Sequence, residues 1–267
     1  MKELTHLSRS QLGLIRELVR EKKTRDRERL FVLEGEKPIR EVVAQQAHLL
    51  RALVLAESRA SAEGRTQDWL RDAARMKIPV HACPDRTFET LSDLRTSPGC
   101  LAVVQQPSWD NAAIFARPRV LGLYGETLQD PANVGAIVRT ALGFSFDALW
   151  LSADSADIYN PKVVRATAGS ILKLPVLYIK DAAELTGRGC ALLAFVPAGK
   201  ASRPITDLTD LPERAVLAFG NESRGLSDAT LRQASVRFHI PVSQAIESLN
   251  VAAAAAIAMF HLASSRR

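Results

Sequence analysis

Residues 218–227 read AFGNESRGLS, and this stretch decides how the chain is understood. A hydrophobic run, Ala215-Val216-Leu217-Ala218-Phe219, ends on Gly220. Asn221, Glu222, Ser223 and Arg224 follow: an amide, a carboxylate, a hydroxyl and a guanidinium in four consecutive positions. Gly225 breaks the loop, and Ser227 can cap a helix beginning near Asp228. In an open α/β sheet, ligands bind outside the carboxyl ends of the strands, so a buried strand emptying into a polar cluster marks a candidate site. The same residues also suit an ordinary strand-to-helix turn.

The flanking sequence repeats the pattern. Arg119–Tyr124 is a β-run, and a loop from Gly125 leads to Asn133 in N-cap position before VGAIVRTALG, where Val134, Ile137, Val138 and Ala141 recur at helical spacing. Asn133 can cap that helix or turn toward a ligand. Asp147–Ser152, Leu174–Ile179, Ala191–Val196 and Val236–Ile240 read as further strands. Asn160-Pro161 opens a helix carrying Lys162 and Arg165. An alanine-rich helix follows Ser248-Leu249-Asn250, of which Ser248 or Asn250 is a cap by default. Strand–helix alternation predicts an α/β fold with a mainly parallel sheet and right-handed crossovers. Polar residues collect in three loops at carboxyl ends: Pro197–Lys200, Gly220–Gly225 and Pro241–Asn250. Neither GxGxxG nor GxxxxGK[ST] occurs, which argues against a conventional dinucleotide or triphosphate site.

The first half is a smaller α/β series. Ser8 caps a helix over Gln11–Glu21, Arg29–Glu34 and Ala52–Leu55 are strands, and Cys100–Val104 closes the series. No catalytic constellation stands out in it. Residues 105–118, with two prolines and no periodicity, read as a linker between a domain over 1–104 and a second over 119–267. At 267 residues, 47% hydrophobic and 24% charged, the chain is that of a soluble globular protein. No apolar run approaches a membrane span, and the N-terminus lacks the apolar core of a signal peptide, so a cytoplasmic protein is expected. Cys83, Cys100 and Cys190 suit neither a disulfide framework nor a metal site. Net charge is +6. Basic residues crowd Arg16–Arg29, Arg25 among them, as either a polyanion-binding stretch or a solvated helix face.

NVGAIVRTA at Asn133, YNPKVVRATAG at Tyr159, FGNESRGLS at Phe219 and IPVSQAIESLNVAAAAAIAMF at Ile240 together resemble the SpoU (TrmH-like) family of RNA ribose 2′-O-methyltransferases. RDRERLFVLEGEKPIREVV at Arg25 is similar to the ribosomal-protein-like α/β substrate-binding domain often found ahead of the catalytic one. The resemblance implies a deep trefoil knot, S-adenosylmethionine bound in it, and a homodimer through the catalytic domain. It implies cofactor contacts from Pro197, Ala198, Phe219, Gly220, Asn221, Glu222, Ile240, Val242, Ser248 and Leu249. It implies catalytic or RNA-contacting roles for Asn133, Arg139, Glu222, Ser248 and Asn250, and phosphate contacts from Arg25, Arg139, Lys162 and Arg165. A guanidinium stays protonated in proteins, so Arg139 would act as an electrostatic stabiliser of a developing alkoxide rather than as a base. The implied substrate is RNA, with 23S ribosomal RNA first and tRNA as the alternative. A non-catalytic RNA-binding protein on the same fold is the reading from another class.

Overall fold

A computed structural model of the chain describes residues 5–61, 66–94, 96–199, 201–243, 245–246 and 248–265. By contact it divides into two compact units: Met1–Pro107 with Tyr159–Gly169, and Ser108–Ile158 with Ser170–Arg267.

The first unit is built on a sheet of β1 (Thr5–His6), β2 (Leu30–Glu34), β3 (Leu50–Ala56), β4 (Val80–Cys83) and β5 (Cys100–Gln105), in the order β1-β4-β3-β5-β2. β5 runs antiparallel to both neighbours, and the other pairs are parallel. The helix Arg9–Arg20 starts with a capping box between Ser8 and Gln11 and buries Ile15 and Leu18 with Val32, Val54 and Val103. Arg25, expected to face RNA, is only 2% exposed. Its Nη1 donates to the carbonyls of Leu18 (2.7 Å) and Val19 (3.3 Å). The last carbonyls of a helix lack intrahelical donors, and Arg25 supplies one. That role places it inside the unit and removes it from the phosphate-binding set.

The grouping of Tyr159–Gly169 with this unit means that 119–267 is not one continuous body. The Tyr159 ring packs 5.0 Å from Phe31, and the helix Pro161–Thr167 lies against β2. Arg165 is a second correction. Both of its Nη atoms bond Asp93, at 2.5 and 3.1 Å, and this bidentate pair occupies the fork that RNA was expected to use. Lys162 is exposed.

The second unit holds β6 (Val120–Gly125), β7 (Ala148–Ser152), β8 (Val176–Ile179), β9 (Ala191–Phe195), β10 (Arg203–Pro204), β11 (Arg214–Phe219) and β12 (Val236–His239), in the order β10-β12-β9-β11-β6-β7-β8. Among the described residues every pairing in this sheet is parallel. The central strands β6, β7 and β11 are buried along nearly their whole length, which is why they read as unbroken apolar runs. Gly122 is forced by its neighbour: an added Cβ would lie 2.3 Å from the ring of Trp150. The helices Pro131–Gly143 and Val251–Ser265 pack on each other, and the second also packs on β11. Being parallel, β6, β9, β11 and β12 all deliver their following loops to one end of the sheet. Among the described residues no helix is long and apolar enough to cross a membrane.

The three cysteines are free and buried. Burial pushes the Cys83 and Cys100 thiols up to about 11, and Cys190 moves the same way. Below that value the thiol stays protonated, and only the thiolate is a nucleophile. The native protein at pH 8 should therefore react with a disulfide reagent orders of magnitude more slowly than the urea-unfolded chain. Fast labelling of any of the three in the native state would contradict the packing.

Candidate active site

The loop after β11 is a closed ring. Asn221 and Gly225 exchange two backbone hydrogen bonds, at 3.1 and 2.8 Å, with Gly225 at φ +71. The Asn221 Oδ1 accepts from the backbone N–H groups of Ser223 (3.0 Å) and Arg224 (3.2 Å). Gly220 closes the ring because a Cβ there would sit 2.1 Å from the carbonyl carbon of Gly225 and 2.2 Å from the Leu226 nitrogen. Ser227 then caps the helix Asp228–Gln233, as expected. Glu126, in the loop after β6, binds this corner: its carboxylate accepts from the Ser227 N–H (2.7 Å), the Ser227 hydroxyl (2.8 Å) and the Thr230 hydroxyl (2.6 Å). Burial, then the nearby Glu126 carboxylate, pushes the Tyr124 hydroxyl well above its ordinary range.

The loop after β6 is held as tightly. Thr127 adopts φ 55, a left-handed conformation that costs a β-branched residue energy unless its surroundings impose it. Here they do. Its N–H donates to Ser152 Oγ (2.7 Å), its hydroxyl donates to Asp154 (2.8 Å), and its carbonyl accepts from Asn221 Nδ2 (2.9 Å). Hydrogen bonds from Ser152 and then Thr127 hold the Asp154 carboxyl below its usual range.

Asn133 is not the helix cap. The helix Pro131–Gly143 is capped by Asp130, whose Oδ1 accepts from Ala132 N at 2.8 Å, with Pro131 in the first turn. Asn133 thus lies inside the helix with its amide free of capping, buried at 7% exposure. Its Nδ2 donates to Glu222 Oε1 and its Oδ1 accepts from Asn250 Nδ2, both at 3.0 Å. Asn250 in turn spends its own Oδ1 capping the helix Val251–Ser265, accepting from Ala252 N (2.9 Å) and Ala253 N (3.2 Å). Direction propagates along this string. The cap requires the Asn250 oxygen, so its NH₂ faces Asn133. That fixes the Asn133 oxygen, so its NH₂ faces Glu222, a carboxylate that can only accept.

Beside the string lies a cleft of about 920 Å³, walled by the segments after β9, after β11 and before the last helix. Of the expected residues, Pro197, Gly220, Asn221, Glu222, Ser248, Leu249 and Asn250 line it, and Asn133 is tied to two of them. Ala198, Phe219, Ile240 and Val242 are not among the lining residues. Phe219 is buried and supports the wall through Phe195, 5.5 Å away, because its side chain points off a central strand into the sheet's packing. Ser248 is exposed and makes no capping bond among those described, since Asn250 holds the cap. Arg139 is exposed on its helix and does not line the cleft. Six residues past Asn133, it is turned roughly 240° around the axis. Lys200, Gln244 and Glu247, in the loops read as polar, lie outside the described residues.

Several lining residues were not legible beforehand: Ser202, Leu231 and Arg237. Ser202 belongs to no motif, and its hydroxyl meets His239 Nδ1 at 2.9 Å. The Asp130-Pro131 pair, by contrast, is a cap signal that would have placed the helix start correctly.

The fold of this chain has solved counterparts. It is shared over 97% of this chain and 98% of that one, with a TM-score of 0.82 and 24% identity, by the SpoU methyltransferase AviRb from Streptomyces viridochromogenes, solved in complex with AdoMet. The chain belongs to the SpoU rRNA Methylase family, whose model matches residues 121–260, and residues 14–102 match the MRM3-like substrate binding domain. It is similar to the 23S rRNA (guanosine(2553)-2′-O)-methyltransferase RlmP of Bacillus subtilis, at 29% identity over 90% of this chain and 91% of that one. An uncharacterized tRNA/rRNA methyltransferase of Synechocystis is 37% identical over 144 residues, and the chain spans 52% of that relative's length.

The division of labour in Asn250 gives a stability test. Aspartate caps as well as asparagine, whereas alanine does not. Asn250→Ala should cost about 1 kcal/mol. Asn250→Asp keeps the cap but sets a carboxylate oxygen against Asn133 Oδ1, so any loss it still shows reports the amide contact rather than the cap. An equal loss in both variants would show that the amide contact to Asn133, not the cap, stabilises the helix.

Proposed function

We propose that this chain transfers a methyl group from S-adenosylmethionine to a ribose 2′-hydroxyl of ribosomal RNA, with 23S RNA as the substrate. The observation that carries the reading is the directed string Asn250–Asn133–Glu222 at the edge of the cleft. The name of RlmP and the AdoMet complex of AviRb support substrate and cofactor.

The cleft fits the cofactor. Its volume is in the range of about 300–1,000 Å³ for such ligands, and its walls combine apolar Phe195, Leu226, Leu231 and Leu249 with polar Ser202 and Asn221. Bound there, S-adenosylmethionine supplies an electrophilic methyl on a sulfonium. The difficulty lies with the nucleophile, because a ribose hydroxyl is almost wholly protonated at neutral pH. Glu222, held on one oxygen by Asn133, accepts from that hydroxyl and aligns it. Asn250 and Ser248 bind the ribose beside it. Arg139 stabilises the oxygen as charge develops. The first unit, with Lys162 and the exposed cations of the helix Arg9–Arg20, holds RNA by its phosphates. The trefoil knot belongs to the same reading, supported by the return of three chain segments to one cleft. A cytoplasmic location follows from the substrate.

Arg139 lies off the cleft, and the exposed apolar side chains Ile257 and Phe260 stand on the helix packed against its own, Phe260 being 59% exposed. A homodimer through this face accounts for both. Phe260→Glu should convert a dimer to a monomer in sedimentation and cost most of the activity. An active monomer would remove the dimer from the mechanism.

Labelled methyl from S-adenosylmethionine should appear in a 2′-O-methyl nucleoside of 23S RNA drawn from cells lacking the protein. Label in tRNA would move the substrate. Cofactor binding without transfer to any RNA would favour the non-catalytic reading. In the same assay Asn250→Asp, which keeps the cap but reverses the string, should lower kcat about 10²-fold.

A further inference from the structure

We infer that Arg224 is a substrate-reading residue: its guanidinium takes the phosphodiester adjoining the ribose that is methylated. This rests on the proposed function and extends it to a specific contact.

The argument starts from charge. Asn133 pins Glu222 at the edge of the cleft, so an anionic group stands where the ribose must enter. In RNA a 2′-hydroxyl neighbours its own 3′-phosphate. Presenting that hydroxyl to Glu222 therefore brings a second negative charge to the cleft's mouth. Two like charges in a partly desolvated site repel strongly, and a nearby cation must offset them.

The described cleft lining offers two cations, Arg224 and Arg237. Arg237 is half-buried on β12 and donates through Nη2 to the Leu231 carbonyl at 3.1 Å, so it is engaged in the wall. Arg224 is exposed, two residues from Glu222, and its guanidinium makes no hydrogen bond or ion pair among the described residues. Long flexible side chains ordinarily lose rotamer entropy when they bind. Here the backbone part of that cost is already met. The Arg224 N–H is bonded to Asn221 Oδ1, the Asn221–Gly225 ring closes around it, and Asn221 is anchored on Thr127. A free guanidinium on a rigid ring, beside a fixed carboxylate, can take the two non-bridging oxygens of a phosphodiester in its fork.

The competing ligand is the cofactor's own carboxylate, also an anion that the cleft would admit. The two are separable. Wild type, Arg224→Ala and Arg224→Lys should be compared by calorimetric titration with S-adenosylmethionine, by direct binding to 23S RNA between low and moderate salt, and by methyl-transfer kinetics. The Arg224 side chain makes no hydrogen bond or ion pair among the described residues, so all three should melt together. The expected result for Arg224→Ala is an unchanged cofactor Kd, RNA binding and KM weakened roughly tenfold or more, and a salt slope shallower by about one. Arg224→Lys should recover the slope and only part of the affinity. A weakened cofactor Kd with unchanged RNA binding would overturn the inference and assign the cation to the cofactor. No change in either would overturn it in favour of a solvated side chain. If wild type transfers no methyl to any RNA, the function reading fails separately, while the salt slopes still decide Arg224.

Discussion

The second unit depends on one buried amide. Asn133 joins a carboxylate on the loop after β11 to the cap of the C-terminal helix, although 89 and 117 residues separate it from its two partners. A buried polar side chain without partners would cost about 1–3 kcal/mol, so the helix can bury Asn133 only when both partners are in place. The site and the packing of the helices Pro131–Gly143 and Val251–Ser265 are therefore one problem with one solution. The amide cannot turn over without placing two oxygens face to face at Glu222. Orientation at the site is inherited from a helix cap, a contact with the backbone N–H groups of Ala252 and Ala253 that only proline would remove.

What surrounds the string explains why loops can hold it. Loops carry function because they sit at strand ends, but they are ordinarily mobile. Here each is tied to another. Thr127 is fixed by Ser152 and Asp154, Asn221 is fixed by Thr127, and Glu126 clamps the corner at Ser227 and Thr230. Thr127 pays for its left-handed backbone with these bonds, and its carbonyl is thereby aimed at Asn221. Glu222, the next residue, gains a fixed position from a strain two loops away.

The sequence made the parallel sheet legible because buried parallel strands leave unbroken apolar runs, as at Val120–Gly125 and Arg214–Phe219. Asn133, Glu222 and Asn250 became legible as a set only through the resemblance to the SpoU family, since by position the two asparagines read as helix caps and Glu222 as part of a strand-end turn. The sequence could not show Arg25 turned inward. A basic stretch looks the same whether it faces a polyanion or the open carbonyls at Leu18 and Val19, and only burial separates the two. Nor could it show Tyr159–Gly169 leaving the body of its own half, since the choice rests on Phe31 and Asp93, both far away in the chain. Ser202 and Arg237 were hidden for a different reason. Each enters the cleft through a strand-end geometry that has no composition signal.

The same distinction sorts the arginines by function. Arg25 and Arg165 have partners inside the protein, one on helix carbonyls and one on a carboxylate, and a guanidinium whose donors are committed can add little to a phosphate. Arg139 and Arg224 are exposed and carry no such partners among the described residues. An arginine left unpaired costs nothing in water, so exposure alone carries no information. The informative feature is the rigidity beneath it. Arg139 rises from a helix whose first turn is locked by Asn133, and Arg224 from a ring closed by Gly220. Both cations are free at the tip and fixed at the root. A charge so held can be aimed at a phosphate that is always negative, as proposed for Arg224, or at an oxygen that becomes negative only during the reaction, as proposed for Arg139.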